Sequence, residues 1–153
     1  MKRIYAFVMV KSWGNISLAQ DVTADTFFKA FERIASFECN DTGSFSAWLY
    51  RIAYTTFIDY IKTKPIESLS ENSLSNAVSS DFVDLFEKKE QTLKIIAYLD
   101  TLWSEKKDIF LLRIWDQMSY QEISEILGKT PESCRQEFSR TLKKVIEKFE
   151  NIC

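Results

Sequence analysis

The chain has 153 residues, 46% of them hydrophobic, with 20 Lys/Arg against 22 Asp/Glu and a formal net charge of −2. Three Gly and two Pro are too few for a turn-rich all-β protein and suit a helical one. Near-neutrality is unlike a free-standing nucleic-acid binder, which carries a basic excess, and the absence of histidine removes the usual general base and the commonest neutral metal ligand.

In chain order, Lys2 and Arg3 precede an apolar run from Ile4 to Val10. The run is too short for a signal peptide, ends at Lys11 and has no small-residue cleavage site after it, so a buried helix is expected. No stretch approaches the roughly 20 apolar residues of a membrane span, and no membrane insertion is expected. Phe27, Phe28, Phe31, Ile34 and Ala35 then recur at helical spacing. Ser17 is the expected N-cap of that helix, and the three phenylalanines are expected in the core. Asn40, Asp41 and Gly43 signal a turn. A further helix is predicted from about Ser46 to Lys62, with Trp48, Leu49, Ile52 and Ala53 on one face, continued by Thr56 and Tyr60.

Residues 66–90 change character. Ser68, Ser70, Ser73, Ser75, Ser79 and Ser80 crowd together after Pro65, which reads as a flexible linker. The linker also holds the acid excess. It has a charge of −4, against +2 for residues 1–65 and zero for residues 91–153. The fold expected is therefore all-α, with two small helical domains joined by a flexible linker.

The second domain reads as one helix marked by Ile95, Ile96, Leu99, Leu102 and Trp103, and another from Asp108 through Trp115. A sharper pattern follows. Ser119 and Glu122 have the spacing of a capping box. Gly128 stands where a helix end wants a left-handed residue, and Pro131 suits the first turn of the next helix. Cys134, Phe138, Leu142, Val145, Ile146 and Phe149 form an apolar stripe on that last helix. Helix, tight glycine turn and helix make a helix-turn-helix. Cys134, on the stripe, is expected as a small buried hydrophobe. With Cys39 and Cys153 it makes an odd count without CxxC, so neither a disulfide framework nor a zinc site is expected, and a reduced cytoplasmic setting fits.

In such a unit the second helix enters the major groove. Away from its stripe lie Ser133, Arg135, Gln136, Ser139, Arg140, Lys143 and Lys144. Arg pairs with guanine and Gln with adenine through two parallel hydrogen bonds, while Ser and Lys hold phosphates. Spacing alone leaves a solvated outer face as the competing reading. Glu137, in the middle of this surface, weakens its attraction for phosphate.

Two sets of residues carry a resemblance. Phe110-Leu-Leu-Arg113 followed by Met118-Ser-Tyr-Gln-Glu-Ile-Ser-Glu-Ile-Leu-Gly128 resembles the −35-reading domain of sigma-70 family transcription-initiation factors. Ser44-Phe-Ser-Ala-Trp-Leu-Tyr-Arg-Ile-Ala53 with Asp59-Tyr60, and Asp21-Val-Thr-Ala-Asp-Thr-Phe27, resemble their −10 domain. The two-domain layout is similar to the extracytoplasmic-function (ECF) group. The resemblance implies a non-enzymatic, cytoplasmic bacterial factor without cofactor or metal. Its partners would be core RNA polymerase, through the β′ clamp helices and the β flap, promoter DNA, and an anti-sigma factor. Residues 1–65 would dock on polymerase and read the −10 element, and residues 91–153 would read the −35 element.

By residue, the resemblance implies that Asp21, Asp25 and Glu32 dock on the clamp helices. Phe45, Trp48 and Thr55 would act at the −10 element, with the loop of residues 40–45 near a flipped base. Arg51 and Lys62 would hold backbone phosphates. Ser133, Arg135, Gln136, Ser139, Arg140 and Lys143 would face the −35 element. The acidic linker would enter the RNA path of the polymerase. Near-neutrality then fits, because the polymerase supplies most of the phosphate-binding surface.

The chain departs from the family pattern at Ala24-Asp25, where a Gln-Glu pair is usual, and at Thr55, where Asn is common. It also has Cys134, Gln136 and Glu137 in place of Val, Ser and Arg. The helix that usually precedes the segment matching Tyr5–Trp13 is not part of the sequence, and a first domain without it is expected to be the less stable one. The alternatives are a stand-alone helix-turn-helix regulator and a degenerate factor that only binds polymerase or an anti-sigma factor.

Overall fold

The computed structural model describes residues 1–38, 44–63, 89–101 and 104–150. All regular structure among them is helical, and the chain divides into two compact units, Met1–Glu87 and Lys88–Cys153. None of the described helices is long and apolar enough to cross a membrane.

The first unit contains α1 (Lys2–Lys11), α2 (Ile16–Arg33) with a 3-10 turn at Ile34–Ser36, and α3 (Phe45–Thr63). The apolar run buries as expected: Ile4, Ala6 and Phe7 through Val10 are all in the core. α1 ends at a tight reversal in which Trp13 (φ 51) and Gly14 (φ 80) both take left-handed backbone. Glycine adopts that conformation at no steric cost. Asn15 then caps α2, its Oδ1 accepting from the Leu18 amide at 3.0 Å. The expected cap, Ser17, lies inside the helix. Asn stabilises a helix start as well as Ser does, so the reversal at Gly14 decides where α2 begins.

α2 turns inward a face of small residues: Ala19, Val22, Thr23, Thr26 and Ala30. It packs on α1 and α3, which offers Ala47 and Ala53 in return. Small side chains let the helix axes approach closely and leave no room for rings. Phe28 and Phe31 are therefore 63% and 80% exposed, Ile34 and Ala35 are exposed as well, and Phe27 is only half-buried. The expectation that the three phenylalanines build the core is corrected for Phe28 and Phe31, which lie on the outer side of α2, while Phe27 stands at the edge of the packed face. The large core residues come instead from α1 and α3, as in the edge-to-face pair of Phe7 and Tyr50, 5.2 Å apart.

Lys11 is buried at the end of α1 with its ammonium over three rings, 4.9 Å from Tyr54, 5.1 Å from Phe57 and 5.7 Å from Phe7. Cation–π attraction offsets part of its desolvation.

The second unit contains α4 (Lys89–Asp100), α5 (Ser104–Ile114), α6 (Tyr120–Leu127) and α7 (Pro131–Glu150). α5 packs against α4, α6 and α7. Its Ile109, Phe110, Leu111 and Leu112 are all buried, which makes it the central helix. α4 ends before Leu102 and Trp103, which fall outside the described residues, as do residues 39–43, Cys39, Cys153 and nearly all of the linker.

Candidate nucleic-acid interface and docking face

The helix-turn-helix is assembled by local chemistry. The Ser119 hydroxyl accepts from the Glu122 amide at 3.2 Å, and the Glu122 carboxylate accepts from the Ser119 amide at 2.8 Å. This reciprocal box fixes the start of α6. Gly128 ends it at φ 67, with nothing within 4 Å of where a Cβ would stand. The glycine is needed for its backbone angle and not for space. Thr130 Oγ1 then accepts from the Ser133 amide at 3.2 Å and caps α7, with Pro131 as the first helical residue. Thr130 is a signal that the sequence reading passed over. Arg113 braces the entry to α6, donating to the Met118 carbonyl at 2.6 Å with its guanidinium 4.6 Å from the Tyr120 ring centre.

α7 turns Cys134, Thr141 and Val145 inward. Phe138 stacks on Phe110 with centroids 5.8 Å apart, and Phe149 meets Tyr98 edge-on at 6.0 Å. Cys134 is fully buried, as expected, and burial pushes its thiol up from the ordinary value. Ile146 is corrected: it is 43% exposed, and the polar Thr141 takes the buried position that a purely apolar stripe misses.

Opposite the buried face, Arg135, Gln136, Ser139, Arg140 and Lys143 are all exposed, with Ser133 half-exposed at the edge. At ~100° per residue the six lie within about 160° of arc. The structure thus brings together all six predicted −35 residues. It also adds one that was missed. Glu132 Oε1 accepts from Arg135 at 2.7 Å and from Gln136 at 3.1 Å, while its Oε2 accepts from Arg135 Nε at 3.0 Å. The Arg135 guanidinium, with Gln136 beside it, holds the Glu132 carboxyl below the usual range. One carboxylate therefore orients the two side chains best suited to reading bases. The clue in the sequence was an acid three and four residues before them on a helix.

In the first unit, Trp48, Arg51, Thr55 and Lys62 share one side of α3, within about 60° of arc. Arg51, Thr55 and Lys62 are exposed and Trp48 is half-buried. Phe45 lies at the edge of this group, one turn before Trp48. Phe37 joins them, making a triangle of rings with centroid separations of 5.1–5.5 Å. Phe37 and Phe45 stand on either side of residues 39–43, so the cluster joins the chain before that segment to the start of α3. Phe37 was not singled out in the sequence because it precedes a turn signal and no helical pattern includes it. The Thr55 hydroxyl sits near its own helix carbonyls, Arg51 at 3.0 Å and Ile52 at 3.1 Å.

Asp21, Asp25 and Glu32 line one side of α2 together with Phe28, at steps of four, three and four residues, and Asp21 and Glu32 are exposed. Asp25 is half-buried, and its Oδ2 accepts from the Tyr60 hydroxyl at 2.8 Å. That hydrogen bond is the main reason the Tyr60 phenol is pushed up to about 12, with burial and the negative charges of Asp25 and Asp21 adding to it. Asp25 thus joins α2 to α3 as well as belonging to an exposed acidic stripe.

Comparison with known proteins agrees with this arrangement. The Sigma-70 region 2 family matches residues 2–64 and the Sigma-70 region 4 family matches residues 92–145. Two relatives from Bacillus subtilis are similar over most of the chain. RNA polymerase sigma factor YlaC is 32% identical over 74% of this chain and 67% of its own length. ECF RNA polymerase sigma factor SigW is 31% identical over 75% of this chain and 66% of its own length. The solved structure of sigma factor RpoE in complex with the anti-sigma factor NepR from Bartonella quintana shares the fold, with a TM-score of 0.71 at 21% identity over 95% of this chain and 88% of that one. A three-helix unit followed by a helix-turn-helix unit corresponds in chain order to the two family regions, and the chain belongs to the sigma-70 family of RNA polymerase sigma factors, in its ECF group.

Proposed function

We propose that the chain directs promoter recognition and transcription initiation through three separate faces. The outer face of α7 reads the −35 element. Arg135 and Gln136, held by Glu132, contact base edges, and Ser133, Ser139, Arg140 and Lys143 contact the phosphates. The face of α3 formed by Phe45, Trp48, Arg51, Thr55 and Lys62 engages the −10 element. There the Phe37–Phe45–Trp48 rings offer a stacking surface for unpaired bases, and Arg51 and Lys62 hold the backbone. The stripe of Asp21, Phe28 and Glu32, with Phe31 beside it, docks on the β′ clamp of the core polymerase in the bacterial cytoplasm. Asp25 contributes mainly by tying the stripe to α3.

The observation that carries this reading is the orientation of α7. All six candidate residues of a capped helix-turn-helix face outward, while Cys134, Thr141 and Val145 anchor the opposite side. An apolar docking face on α2 explains why a protein of −2 net charge needs no basic excess of its own: DNA is held jointly with the polymerase. An anti-sigma factor is the natural occupant of the same faces when the protein is silent, since one must be covered for the other partners to be refused.

The test is in vitro transcription with purified core polymerase and genomic DNA, followed by mapping of transcript starts. Start sites sharing −35 and −10 elements support the reading. Polymerase binding without transcripts favours a factor that only occupies the polymerase. Tight sequence-selective binding by the free protein favours a stand-alone regulator.

A further inference from the structure

An open cleft of about 310 Å³ runs along one flank of α7, lined by Lys106, Arg140, Thr141, Lys143, Lys144 and Glu147. Four cations face one lining carboxylate. Arg140 and Lys143 belong to the outward face of α7, so the cleft continues that face round the side of the helix. Lys106 comes from the first turn of α5. A lysine there works against the positive end of the helix dipole, and an anion beside it is favoured. Its position is preset, because the residues on both sides are pinned. Glu105 pairs with Lys129 at 2.8 Å, and the buried Lys107 pairs with Asp100.

Glu137 projects from α7 between Lys106 and Arg140. Its Oε2 lies 3.9 Å from Lys106 Nζ and its Oε1 3.6 Å from Arg140. Both separations exceed a hydrogen bond. The Oε2 atom is buried and accepts no hydrogen bond, although the side chain as a whole is 24% exposed. A carboxylate flanked by two cations, bonded closely to neither and with one oxygen sealed from water, is poorly satisfied where it sits.

We propose that Lys106 and Arg140, with Lys143 and Lys144 farther along the cleft, bind one backbone phosphate of the DNA read by α7, and that Glu137, which stands between Lys106 and Arg140, neutralises those two cations in the free protein until the phosphate replaces it as their counter-charge. The proposal rests on the reading of α7 as the DNA-reading helix. It makes Lys106, on a helix outside the helix-turn-helix pair, a DNA contact. It also makes Glu137 a residue that sets affinity downward without touching a base.

The experiment measures binding of the full chain to a fluorescein-labelled duplex of mixed sequence by anisotropy, across a salt series starting near the low-salt end. It compares wild type, Glu137→Gln, Lys106→Ala and the double variant, with thermal melts to show that each folds and Glu137→Ala as a second probe. Glu137→Gln is expected to tighten binding about 3- to 10-fold and to steepen the salt dependence by roughly 0.9, the value for one added phosphate contact. The double variant is expected to return both to near wild type. No change with either Glu137 variant overturns the proposal. So does a gain that survives loss of Lys106, or the absence of duplex binding by every variant at low salt. Arg135→Ala, outside the cleft, is assayed separately in the holoenzyme: loss of promoter preference in that variant sustains α7 as the reading helix whatever Glu137 does.

Discussion

The Tyr60 hydroxyl donates a 2.8 Å hydrogen bond to Asp25, so the acidic stripe on α2 is fastened to α3 at its middle residue. The other two acids of the stripe, Asp21 and Glu32, are exposed. The three carboxylates therefore differ in their surroundings, and substituting them one at a time separates the proposed docking on the polymerase from attachment to the fold.

Tyr60→Phe is expected to destabilise the first unit by about 1 kcal/mol, the usual net worth of a hydrogen bond. It should also remove a pH dependence. The phenol is held at about 12 in the folded chain against 10.0 unfolded, so its contribution is complete below pH 10 and fades as the pH rises towards 12. Urea melts followed by circular dichroism from pH 8 upward check both statements. Identical alkaline behaviour of wild type and Tyr60→Phe contradicts the assignment.

Phe28→Ser and Phe31→Ser should leave stability within about 0.5 kcal/mol, because both rings are mostly in water. The same changes are expected to weaken binding to core polymerase by at least 2 kcal/mol if the rings are the buried centre of the interface, roughly a 30-fold loss. Thermal melts and competition binding against a labelled sigma factor measure the two effects on the same preparations. A large drop in melting temperature would place the rings in the core after all.

Arg135→Ala and Gln136→Ala are each expected to cost about 1–3 kcal/mol of discrimination at one base position. Lys143→Ala should weaken all sequences alike and reduce the salt slope by roughly 0.9. Selection of promoter variants by the holoenzyme, followed by sequencing, distinguishes these patterns. Glu132→Ala, which frees both reading side chains, is expected to blur the preference at both positions together.

Gly128→Ala places a Cβ on left-handed backbone and is expected to cost about 1–2 kcal/mol. Ser119→Ala removes one half of the capping box and is expected to cost about 1 kcal/mol. Both act on the second unit, so chemical melts should show a shift in that unit's transition and none in the first's.

The helix-turn-helix was legible because its signals are local. Ser119, Glu122, Gly128 and Pro131 each do one job through their own backbone or a neighbour three residues away, and all four stand as the sequence implies. The interior of α2 was not legible. Phe27 and Phe28 are adjacent and fit two helical registers, and the register that wins is set by Ala19, Val22, Thr26 and Ala30, whose weak hydrophobicity hides their importance. Thr141 escaped for a related reason: a buried hydroxyl has no place in an apolar template, and the neighbouring Ile146 supplied a false continuation. The Glu132 grip on Arg135 and Gln136, and the position of Glu137 beside Lys106, depend on rotamers and on a second helix. Charge counting along the chain registered these carboxylates only as a subtraction from basicity.

Because α2 meets its neighbours through alanine, valine and threonine, its two sides answer to different pressures over evolutionary time. A mutation to any larger side chain inward would wedge the helices apart, so that side has almost no room to drift. The solvent side, Asp25 excepted, bears little of the packing and is at liberty to change residue by residue. A lineage could retune which partner it recruits there, or escape an inhibitor, without first having to rescue the architecture that carries the helix.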